Sequence, residues 1–158
     1  MVEINCTING EAWSGEVEES RVLVDFLRRE HQLTGTRVAC DHAACGACTV
    51  LLDGLPVAAC ATLAFEADGG AISTIEGLTG ADGRLHPLQQ AFLDESVFQC
   101  GFCSSGMIML ATALLDAKPD PSRQDIVEWM GANVCRCTGY SQIIDAIAHC
   151  AGKQKRLP

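Results

Sequence analysis

The chain has 158 residues, a formal net charge of −9 and 48% apolar residues. That apolar content supports one domain or two small ones with real cores. No apolar run reaches the roughly 18 residues of a membrane-spanning helix, and the acidic balance argues against non-specific nucleic-acid binding.

Residues 2–8 alternate, with Val2, Ile4, Cys6 and Ile8 on one side and Glu3, Asn5 and Thr7 on the other. This period of two predicts a half-buried strand, with Cys6 as plain core. Asn9-Gly10 predicts a tight hairpin turn into a second strand near 11–17. Val22, Leu23, Phe26, Leu27 and Glu30 follow at helical spacing. After a cysteine-rich loop, 49–52 reads as a strand, Asp53-Gly54 as another hairpin turn, 55–60 as the return and 71–75 as a last strand. These elements describe a small α+β domain.

The stretch GLTGADGR, 77–84, reads as a linker. Beyond it the period becomes helical. Helices are predicted over 88–98, just after Pro87, and over 106–117, where Met107, Ile108, Leu110, Ala111, Leu114 and Leu115 form a wide apolar stripe. Ser122 with Asp125 resembles a capping box for 123–130. Ser141 is a candidate cap for 142–150, which carries Ile143, Ile144 and Ile147 on one face. Four helical stretches predict a compact bundle, followed by a basic tail, 153–158. Cys150 reads as packing or as a lone thiol.

Eight of the ten cysteines form two groups of four. The first is Cys40-x4-Cys45-x2-Cys48-x11-Cys60, the plant-type ferredoxin spacing for a [2Fe–2S] cluster. Ala43, Ala44, Gly46 and Ala47 are small, so backbone N–H groups can close around an anionic core. The second is Cys100-x2-Cys103-x31-Cys135-x-Cys137. Standing alone, it also fits a zinc ribbon or a redox dithiol. It lies before the predicted helices at 106 and 141, whose electropositive ends suit an anionic cluster. No secretory signal opens the chain, so a cytoplasmic protein is expected, in which disulfides are rare. His31, His42, His86 and His149 are scattered and do not read as ligands. Trp13 and Trp129 read as core or interface. Arg37 and Arg136 stand near the cysteines, where they would offset negative charge or simply face solvent.

The motifs CDHAACGACTVLLDG, QCGFCSSGMIM and NVCRCTGY, in this order, resemble the iron–sulfur subunit of the xanthine oxidase family of molybdenum hydroxylases. The resemblance covers about residues 1–150. It implies a β-grasp ferredoxin-like domain over 1–76, linker 77–84, and a four-helix domain over 85–152, each holding one [2Fe–2S] cluster. It implies an electron-transfer subunit that does no substrate chemistry itself. Its expected partners are a large molybdopterin-binding subunit and an FAD subunit or another acceptor. Cys100, Cys103, Cys135 and Cys137 would hold the cluster nearer the pterin, which Gln99 and Cys137 approach. Cys40, Cys45, Cys48 and Cys60 would hold the cluster nearer the flavin. Ala43 stands where many members carry glycine, and Ser105 where many carry proline. Two rival functions are a zinc-stapled interaction module and a free-standing ferredoxin shuttle. Because the ligand sets flank the linker, each is expected to assemble largely alone.

Overall fold

The computed structural model describes residues 1–80 and 82–154. The basic tail lies largely outside the described residues.

The alternation at the N-terminus becomes β1, Val2–Ile8, with Ile4, Cys6 and Ile8 buried. Asn9 and Gly10 take φ of 51° and 85°, the left-handed pair a two-residue hairpin turn requires. β2, Glu11–Val17, returns antiparallel and sets Trp13 opposite Cys6. Trp13 packs edge-on against Phe26 at 4.9 Å and His31 at 5.4 Å. Phe26 opens the π-helical turn Phe26–Glu30, which continues α1, Leu23–Asp25. The Arg28 guanidinium donates to the carbonyls of Thr34 and Thr36 and ties down the chain entering the first cysteine loop.

β3, Thr49–Leu52, and β4, Leu55–Ala58, pair through the Asp53-Gly54 turn. A short 3-10 turn, Ala64–Ala67, precedes β5, Ala71–Ser73. The sheet order is β2-β1-β5-β3-β4, with β1 and β5 parallel and the other pairs antiparallel. Leu23, Val24, Phe26 and Leu27 of the α1 segment share one core with Ile4, Val50 and Ile72 of the sheet. This is the expected β-grasp arrangement.

The second half folds as α2 (Pro87–Asp94), α3 (Ser104–Ala117), α4 (Arg123–Met130) and α5 (Ser141–Gln154). Leu88, Phe92, Met107, Leu114, Ile126, Met130 and Ile147 make its core. Each such side chain contributes about 1.5–3 kcal/mol of burial, opposed by the entropy of ordering the chain. The Ser122–Asp125 capping box forms as expected, with Ser122 Oγ accepting from the Asp125 N–H at 3.2 Å. His86 caps α2: its ring nitrogen accepts from the Leu88 N–H at 3.3 Å, and burial lowers its pKa.

Several boundaries differ from the periodicity. β4 ends at Ala58 rather than 60, and β5 at Ser73 rather than 75. α2 stops at Asp94 rather than 98, because Ser96 takes φ of 48° and turns the chain toward Cys100. α3 starts at Ser104, two residues before 106, so Cys103 itself is its N-cap residue. α5 begins at Ser141 rather than being capped by it.

The linker does not hold the two halves apart. α3 is buried nearly all round, because its far side meets the sheet: Met109 and Ala113 pack on Leu51 of β3. The Trp129 indole N–H donates to the Leu110 carbonyl at 2.9 Å beside this contact.

Candidate metal centres

The loop 40–48 folds around the first group of thiols. Asp41, Ala43 and Gly46 take φ of 59°, 58° and 71°. These left-handed turns aim backbone N–H groups inward. Ala44 N–H donates to Cys40 Sγ and Ala43 N–H to Cys60 Sγ, both at 3.3 Å. The φ of Ala43 explains why glycine suits its position. A non-glycine residue there costs on the order of 1 kcal/mol of backbone strain. Cys48 and Cys60 are buried, while Cys40 and Cys45 lie nearer the surface. Donation from the His42 and Ala44 N–H groups lowers the Cys40 pKa to about 6. Burial, with Cys60 alongside, pushes Cys48 up to about 12.

The second group sits where 99–103 runs into α3 and where 135–138 runs toward α5. Cys103 occupies the positive end of α3. Burial raises its pKa to about 12. Burial also tends to raise Cys135, but the Thr138 hydroxyl at 3.0 Å and the Thr138 N–H at 3.3 Å outweigh it and lower the pKa. The Phe102 N–H lowers Cys100. Cys137 Sγ lies 3.5 Å from Cys100 Sγ, and that contact raises the Cys137 pKa. Cys100 and Cys137 form the exposed edge of the set, and Gln99, Phe98 and Phe102 are exposed beside them.

The two groups are neighbours. The Val134 N–H, one residue before Cys135, donates to the Cys45 carbonyl at 2.8 Å. A cavity of about 210 Å³ is lined by Cys45, by all four cysteines of the second group and by Arg136. The tight fit is steric: a Cβ on Gly106 would lie 2.3 Å from the Gly46 carbonyl oxygen. Sequence reasoning missed this contact, and missed Asn133, which is 2% exposed and whose side chain lies against Gly46.

Both groups fit a two-iron core. Within each group the thiols lie close enough to act on one another, Cys48 on Cys60 and Cys45 in the first and Cys103 on Cys135 and Cys100 in the second, with Cys100 and Cys137 Sγ 3.5 Å apart. Four such thiols in one place are what a [2Fe–2S] core requires, two on each iron. Two of the histidines make polar contacts with partners other than the thiols. His149 Nδ1 pairs with Glu95 at 2.7 Å, and His42 Nδ1 meets the Cys40 carbonyl.

Comparison with known proteins agrees. A family described as a 2Fe-2S iron-sulfur cluster binding domain matches residues 6–71, and one described as a [2Fe-2S] binding domain matches 74–148. The nicotine 6-hydroxylase small subunit of Paenarthrobacter nicotinovorans is 44% identical over 152 residues, covering 96% of this chain and 91% of that one. A chain of quinoline 2-oxidoreductase from Pseudomonas putida 86 superposes with a TM-score of 0.91 at 43% identity, covering 98% of this chain and 96% of that chain. Aldehyde oxidoreductase from Desulfovibrio gigas matches with a TM-score of 0.93 at 43% identity, over all of this chain but only 18% of that one. With two cluster-binding halves and relatives matched over nearly their full length, the chain belongs to the iron–sulfur small subunits of the xanthine oxidase family of molybdenum hydroxylases.

Proposed function

We propose that Cys40, Cys45, Cys48 and Cys60 hold one [2Fe–2S] cluster in a domain over 1–76, and that Cys100, Cys103, Cys135 and Cys137 hold the other in a domain over 85–152. When bound, each cluster supplies one-electron redox chemistry. The protein's part is to set distance, hydrogen bonding and access. In this reading the second set faces a large molybdopterin-binding subunit, and the first faces an FAD subunit or another acceptor, within a cytoplasmic complex.

The observation that carries the order is the exposed edge of the second set. Gln99, Cys100 and Cys137 reach the surface together, flanked by Phe98 and Phe102 at 40% and 44% exposure. Apolar side chains around a polar ligand edge suit burial against a partner rather than lasting exposure. On the inner side, the Val134–Cys45 hydrogen bond leads directly to the first set. Gln99 is no cluster ligand in this scheme. Its amide can donate and accept, and it would orient the cofactor edge of the large subunit. No described helix is long and apolar enough to cross a membrane.

Two measurements test the reading. Purified protein should carry about four irons and about four acid-labile sulfides per chain, and stoichiometric zinc refutes it. In the assembled enzyme, Gln99→Ala should leave both clusters in place and slow reduction of the second by substrate, while dithionite reduces it at the normal rate. Rapid-freeze EPR reads this. Loss of the second cluster in that variant, or first arrival of substrate electrons at the other cluster, refutes the order.

A further inference from the structure

Asn133 belongs by sequence to the second ligand segment, two residues before Cys135, yet its side chain lies in the first. A Cβ on Gly46 would meet Asn133 Oδ1 at 1.8 Å and Cγ at 2.5 Å. Gly46 sits between Cys45 and Cys48 with φ of 71°, so both backbone conformation and space demand glycine. The Asn133 backbone is held at both ends: its N–H donates to the Met130 carbonyl at 3.1 Å, and its carbonyl accepts from the Tyr140 hydroxyl at 3.3 Å. Thr49 links the side chain to the loop. Its hydroxyl donates to the Gly46 carbonyl at 2.7 Å and lies 3.4 Å from Asn133 Oδ1.

What is left over is the amide donor. Asn133 Nδ2 is buried with no hydrogen-bond partner among the described residues. A buried donor without an acceptor is costly, so native structures rarely keep one. The loop that the Asn133 side chain meets through Oδ1 carries Cys45 and Cys48, and the sulfur of a cluster held there is an acceptor that the protein alone does not provide. We propose that Asn133 is a positioning residue for the first cluster: its side chain fixes the 45–48 loop, and its amide N–H is a donor toward the sulfur of that site. The second ligand segment thereby tunes the first site. This rests on the two-cluster reading above.

An N–H donor favours the more negative, reduced cluster and raises its potential. The test is an EPR-monitored redox titration of the full chain in its native complex. Asn133→Leu, which fills similar space without a donor, should make the first cluster's midpoint potential more negative and leave the second's unchanged. Asn133→Ala should do the same. Gly46→Ala should lose the first cluster, and adding Asn133→Ala should restore part of it by opening the occupied space. The proposal is overturned if neither potential moves, if only the second moves, or if both Asn133 variants lose the second cluster. Retention of the second cluster alone supports it. Iron content of the unmutated protein separates the two readings: about four irons per chain leaves the two-cluster assignment standing whatever the variants do, whereas fewer defeats that assignment itself.

Discussion

Gly106→Ala should destabilise this protein although alanine is the better helix former. Gly106 lies in the first turn of α3, where glycine-to-alanine replacement ordinarily gains about 1 kcal/mol. Here the new Cβ would stand 2.3 Å from the Gly46 carbonyl oxygen, 2.9 Å from that of Ala47 and 3.0 Å from the Ala47 carbonyl carbon. All three are backbone atoms of the first ligand loop, so no side chain can swing away. Ordinary contact requires about 1 Å of separation between helix and loop. Overpacking of this kind costs about 1–3 kcal/mol, sometimes more. The upper part of that range exceeds the helix gain by about 1–2 kcal/mol. For a chain of this size that lowers the melting midpoint by roughly 2–8 °C. The loss should centre on the contact between the sites, because the loop is also pinned by the Val134–Cys45 hydrogen bond. Thermal bleaching of the visible cluster absorbance is the assay. A variant that melts at or above the parent temperature would refute the reasoning, since helix propensity would then be the whole effect.

Two further outcomes follow from the site geometry. In metal-free protein, Cys40 should be alkylated readily at pH 7 and lose reactivity as the pH falls through about 6, because only the thiolate attacks and its folded pKa is lowered to about 6; Cys48, raised to about 12, should stay unlabelled at neutral pH, and mass spectrometry of peptides reads both. Tyr140→Phe removes the acceptor of the Cys135 N–H at 2.7 Å and the donor to the Asn133 carbonyl. It should cost about 1–3 kcal/mol, with faster iron loss from the second set than from the first in a chelator challenge; equal rates would show that the hydroxyl does not serve that segment.

What could be read from the sequence is what neighbouring residues decide among themselves. The Asn9-Gly10 and Asp53-Gly54 turns form because adjacent residues supply the left-handed conformations, and the Ser122–Asp125 box spans four residues. The close cysteine spacings work the same way, since a short loop can wrap only a compact core. The change of hydrophobic period from two to that of a helix separated the sheet half from the helical half. Boundaries were less legible. The apolar run through Val97 and Phe98 looks like continued helix, but Val97 is buried in the bundle core and Phe98 is turned outward, so the backbone breaks at Ser96.

How the two ligand sets meet is settled by long-range packing. The linker at 77–84 placed the two ligand sets in separate halves of the chain and said nothing of how those halves touch. The packing of α3 on β3 brings Gly106 against Gly46, Asn133 against the same glycine, and Val134 onto Cys45. These pairs lie 60 to 89 positions apart in the chain. No local propensity or spacing encodes such a contact, because its driving force is the burial of Leu51, Met109 and Ala113 between two layers. Residue spacing and hydrophobic period alone place two sets of four thiols on a sheet half and a helical half. Tertiary packing decided that those sets share one wall, because two apolar faces could leave water only by closing on each other.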